Sequence, residues 1–170
     1  MGSAEIDLGI EAQHGSPVHI RLTVIVVTSP VRSHPSTALI ETTMEAMRHG
    51  EGLQQCRKII VCDGYRKQRT DAGQPTKRHM NASKSMRSGI VDEEGAEAYD
   101  EFKQRLERLA CAHSADTDSM FFRSELVTLT QRLGYGHALL AGLKMVTTSY
   151  VLVVQVLLSP HQRRTCPSAI

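Results

Sequence analysis

A chain of 170 residues suits one domain and is long enough to bury a core without disulfides or metals. Its 41% hydrophobic and 22% charged content sits within the usual range for globular proteins. Only 4% of residues are aromatic, none is Trp, and the net charge is +2, so neither a base-stacking platform nor a strong field favours nucleic acid as a partner.

Residues 1–19 begin MGSAEIDLGIEAQHG, with no basic n-region and no apolar h-region, and read as a flexible arm rather than a signal peptide. No apolar run reaches the ~18 residues a membrane span requires. The next stretch, HIRLTVIVVTSP, is apolar on both faces over Leu22–Val27 and closes at Ser29-Pro30, which predicts a fully buried strand. HPSTALIETTMEAMRHG then predicts a helix capped by Ser36 or Thr37, with Leu39, Ile40, Met44 and Met47 as its apolar stripe and Gly50 as its stop. CRKIIVCDG gives a second buried strand, Lys58–Cys62, ended by Asp63-Gly64.

An irregular basic loop is expected over 65–92. Tyr65–Ser88 alone holds seven Lys/Arg against one acid, Asp71. Asp92–Leu109 reverses the balance, with seven acids against three bases, and places Ala98, Phe102, Leu106 and Leu109 at helical spacing. SELVTLTQ predicts a short strand over Glu125–Leu129. GYGHALLAGLKMV predicts a compact helix burying Ala138, Leu139, Leu143 and Val146, and Tyr150–Val156 closes the pattern as a fourth strand. Residues 157–170 read as an irregular basic tail.

Buried strands alternating with amphipathic helices predict an α/β, Rossmann-like three-layer fold: a mostly parallel four-stranded sheet in the order 3-2-1-4, with helices on both faces. In such sheets ligands sit beyond the carboxyl ends of the strands, where the strand order reverses. Here those ends are Thr28-Ser29-Pro30, Asp63-Gly64 and Gln155-Val156. Asp63 has two readings. Its carboxylate projects into the cleft and accepts hydrogen bonds from a nucleoside, or it closes a local Asp-Gly turn on its own backbone. Gly134 and Gly136 open a helix whose free N–H groups could meet a phosphate, with His137 beside them, or they simply punctuate the helix start. Leu139 stands where a dinucleotide fingerprint needs Gly or Ala, which disfavours a half-domain of an NAD-type oxidoreductase. Cys56, Cys62, Cys111 and Cys166 are too scattered for a zinc knuckle or a disulfide scaffold, so reduced thiols in a cytoplasmic compartment are expected.

The stretches LTVIVVTSP, KIIVCDG and LGYGHALLAGLKMVTTSYVLVVQ resemble, in order and spacing, the N-terminal half of a GT-A, family-2-like nucleotide-diphospho-sugar glycosyltransferase, from about Ile20 to Gln155. The resemblance implies that Asp63 contacts the nucleoside base with Gly64 behind it. It also implies that Thr28, Ser29 and Pro30 line the nucleoside pocket by backbone, and that Gly134, Gly136 and His137 lie near the ribose or phosphates. In that family the strand ending here at Gln155 leads into a D-x-D element whose carboxylates hold a divalent metal such as Mn or Mg. This chain has Val156, Leu157 and Leu158 there, and no Asp or Glu after Glu125. No metal is therefore expected to be held by this chain, and no residue is assigned as catalytic. The expected function is binding of a nucleotide sugar by a truncated, inactive fragment whose tail resembles sequence past a truncation or frameshift. The alternative is a non-catalytic nucleotide- or protein-binding α/β module, self-associating through an exposed sheet edge.

Overall fold

The computed structural model of the protein describes residues 17–68 and 89–156. Most of the expected arm, the greater part of the basic loop and the basic tail lie outside them. In chain order the elements are α1 (Val18–Arg21), β1 (Leu22–Thr28), α2 (Ala38–Ala46), β2 (Arg57–Cys62), β3 (Arg66–Lys67), β4 (Ile90–Val91), α3 (Glu93–Ala112), β5 (Ser124–Thr128), α4 (Tyr135–Leu143) and β6 (Tyr150–Gln155). The one-turn α1 begins inside the stretch expected to be a loose arm. β3 and β4 form a two-stranded parallel pair within the segment expected to be irregular.

β1, β2, β5 and β6 form one sheet in the order β5-β2-β1-β6, and every neighbouring pair is parallel. This is the α/β arrangement the sequence predicts, with the order reversing at β1. The two-sided apolar runs explain it. Val24 and Val26 of β1 and Ile60 and Cys62 of β2 face a core completed by Ile40 and Met44 of α2 and by Tyr99, Phe102 and Leu106 of α3. Ile25, Val27, Ile59 and Val61 face the opposite side, against Ala138 of α4. Each fully buried Ile or Val contributes about 1.5–3 kcal/mol, which makes β1 and β2 the thermodynamic centre of the domain.

α2 is continued by a 3-10 turn, Met47–His49, and ends at Gly50. Asp92 caps α3 by accepting from the Gly95 N–H at 2.8 Å. The buried stripe of α3 runs through Ala96, Tyr99, Phe102, Leu106 and Ala110, so Ala98 and Leu109 sit at its half-buried margins. The packing face of α4 also differs from expectation. Ala138 and Gly142 are its buried residues, while Leu143 is 40% exposed. An added Cβ at Gly142 would lie 3.0 Å from methyl carbons of both Ile25 and Val61. The helix rests so close to β1 and β2 that a small residue must face them.

At the opposite end of β2, Lys58 is fully buried. Its ammonium donates to the carbonyls of Gln54 (2.6 Å), Cys56 (3.0 Å) and Phe122 (3.1 Å), matching three protons with three acceptors. Burial pulls its pKa down to about 8, which leaves it charged at neutral pH. It ties the entry of β2 to the segment that leads into β5.

Candidate functional site

Because all four strands of the main sheet are parallel, their carboxyl ends share one edge. The Asp63 N–H donates to Thr28 O at 2.9 Å, and the Val156 N–H reaches Val27 O at 3.4 Å. The tips of β1, β2 and β6 thus meet on the same side, as a shared crevice requires. Thr28 and Pro30 are buried, Ser29 is half-buried and Gln155 is exposed.

Asp63 is the hub of this edge and is 1% exposed. Its Oδ1 accepts from the Gly64 N–H (2.9 Å) and the Leu133 N–H (3.0 Å). Its Oδ2 accepts from the Gly134 N–H (3.0 Å) and pairs with Arg132 Nη1 at 3.1 Å. Its main-chain carbonyl accepts from the Tyr99 hydroxyl at 2.8 Å. The local turn read from Asp-Gly is present, but the larger part of the carboxylate's work is long-range. It fastens the β5–α4 connection onto the tip of β2. Gly64 permits this contact, since an added Cβ would fall 2.2 Å from the main chain of Gln131. A nucleoside base could reach this carboxylate only by displacing one of these donors.

Gly134 precedes α4 at φ 84° and ψ 163°, a conformation that favours glycine, and no side chain within the helix caps its first turn. Open space surrounds the positions where Cβ atoms would stand on Gly134 and Gly136. His137 and Gly136 are exposed on that turn. The structure therefore brings together Thr28, Asp63, Gly64 and Gly134 by hydrogen bonds, and sets Gly136 and His137 on the adjoining helical turn.

An aromatic group beside Asp63 escapes sequence reasoning. The His34 ring stacks on Phe102 (4.1 Å between centroids) and Tyr99 (4.9 Å), and its Nδ1 accepts from the Val31 N–H at 3.2 Å. Burial pulls its pKa down to about 4, so this half-buried imidazole is neutral at pH 7. Tyr65 donates to Asp100 at 2.7 Å, and Lys103 pairs with the same carboxylate at 2.6 Å while lying over the Tyr65 and Tyr99 rings. Burial and the Asp100 carboxylate push the Tyr65 phenol up to about 12. The available signal was the position of Tyr65 directly after Asp63-Gly64, with Tyr99 and Lys103 four residues apart on a helix.

The donor set for a divalent metal does not fit here. The tip of β6 presents Gln155 and Val156, followed in sequence by two leucines, so its side chains offer a hard cation one amide oxygen and no carboxylate. Among the described residues no group of three or more His, Cys, Asp or Glu is placed to hold a metal ion, and no helix is long and apolar enough to cross a membrane. Compared with protein-family models, with curated proteins and with solved structures, the chain matches none.

Proposed function

We propose that this chain binds a nucleoside diphosphate, presented as a nucleotide sugar, at the carboxyl edge of its sheet. The observation that carries the reading is the first turn of α4. It has no side-chain cap of its own, its two glycines leave open space, and Asp63 holds it at the tip of β2, the strand next to β1 where the strand order reverses. Unpaired N–H groups at a helix start, reinforced by the helix dipole, favour a phosphate. Thr28–Pro30 would border the nucleoside by main-chain groups, and His137 and Gln155 would flank the phosphates. Asp63 acts in this reading by positioning α4, since its oxygens already hold Leu133, Gly134, Gly64 and Arg132. The proposal is confined to binding, and the sequence has no Asp or Glu after Glu125. A cytoplasmic location fits the free thiols of the buried Cys56 and Cys62.

Calorimetric titration with uridine and guanosine diphosphates and their sugar conjugates tests this, with manganese and with chelator. Binding that survives chelation and weakens in Gly136→Val supports it. Absence of binding by every nucleoside diphosphate at millimolar concentration refutes it. A second reading, a non-catalytic module that binds protein, is favoured by the engaged Asp63 carboxylate, and the same titration separates the two.

A further inference from the structure

The two edges of the main sheet are treated differently. β5, at one edge, carries Glu125, held by Arg57 at 2.6 Å, and so presents charge to any approaching strand. Charged side chains are the usual guard of an edge that must stay free. β6, at the other edge, is Tyr-Val-Leu-Val-Val-Gln, with no charge and no proline. Its sequence is that of a strand covered on both faces, yet none of its residues is buried, Tyr150 is 56% exposed and Val153 is 38% exposed.

Among the described residues no strand pairs with the outer side of β6, and the main-chain groups along it have a definite order. The Val156 N–H points to Val27 O on β1, so Val154 and Leu152, two and four residues earlier, also turn their main-chain groups inward. The groups of Val151, Val153 and Gln155 therefore point outward. We propose that β6 pairs antiparallel with β6 of a second copy of this chain, centred on Val153. In that register Val153 faces Val153 of the second copy, Val151 faces its Gln155, and each facing pair exchanges both hydrogen bonds. Leu152 then stands opposite Val154 on the other face, apolar against apolar, and no like charges meet. A two-fold axis normal to the sheet keeps each layer of helices on its own side, giving one continuous sheet. The neighbouring residues of the chain itself, 159–168, carry Pro160 and Pro167, which lack a ladder N–H, together with Arg163 and Arg164, and so match this edge less well than it matches itself. The inference does not depend on the nucleotide reading.

Sedimentation equilibrium of the full chain, from low to high micromolar, is expected to show the mass rising from 18.8 kDa toward twice that value. Val153→Lys changes an exposed side chain and places two ammonium groups face to face. It should weaken association by about tenfold or more with unchanged circular dichroism. In the wild type, hydrogen exchange at Val151, Val153 and Gln155 should slow as concentration rises, while Leu152 and Val154 stay constant. A monomer at high micromolar concentration overturns the proposal. So does protection of the outward amides that is independent of concentration, which would mean cover from within the chain, and so does a Val153→Lys protein that associates as tightly as the wild type.

Discussion

Replacing Asp63 by Asn keeps the shape of the side chain and removes its charge. The carboxylate serves three main-chain N–H groups and one guanidinium, all within 3.1 Å. The amide that replaces it has one acceptor oxygen, and its NH₂ would face Gly134 N–H or Arg132, donor against donor. Arg132, whose side chain is 17% exposed, recovers part of its solvation, which reduces the loss. Removing one partner of a buried pair costs about 3–5 kcal/mol, so the low end, about 3 kcal/mol, is expected. For a chain of this size that lowers the thermal midpoint by roughly 6–12 °C. Urea unfolding at pH 7 measures it, and hydrogen exchange at Leu133 and Gly134 should show that the β5–α4 connection opens first. A variant within about 0.5 kcal/mol of the wild type would refute the positioning role. Unchanged stability combined with lost nucleotide affinity would return Asp63 to the role of a direct ligand.

The His34 imidazole stays neutral in the fold down to about pH 4, whereas the unfolded chain takes up its proton near 6.5. The unfolded state therefore binds more protons between these values, and stability falls as pH drops from 6.5 toward 4, by up to about 3 kcal/mol. Urea midpoints across that window should show the slope, and His34→Phe should flatten it. Gly142→Val forces side-chain atoms against Ile25 and Val61, where even a Cβ sits at 3.0 Å, and is expected to cost about 1–3 kcal/mol in a thermal melt. Lys58→Met keeps the aliphatic stem but strips the carbonyls of Gln54, Cys56 and Phe122 of their donor, so a loss of about 2–4 kcal/mol is expected in urea unfolding. An equally stable Met variant would show that water takes over those carbonyls.

The sheet was legible because β1 and β2 are apolar at every position from Val24 to Val27 and from Ile59 to Cys62, a pattern that two covered faces demand. The tips of the strands were legible through Ser29-Pro30 and Asp63-Gly64. What Asp63 holds was not, because its partners Leu133 and Gly134 are 70 and 71 residues away and contribute only main-chain N–H groups, which every residue has. Lys58 gave no sign of burial, since a strand lysine ordinarily extends to water and the carbonyls that receive it are equally anonymous. On α4, hydrophobicity pointed to Leu143, but the distance between helix and sheet selected Gly142. Size decided that face, and a hydropathy pattern does not record size.

The start of α4 borrows its order from elsewhere. Detached from residues before β5, a peptide spanning Gln131 to Leu143 would lack the carboxylate that gathers its leading amides, and its first turn would fray. The order of that turn therefore depends on the tip of β2, 70 residues earlier in the chain than Leu133. Whatever loosens the end of β2 must therefore also loosen the rim on which ligand binding is proposed.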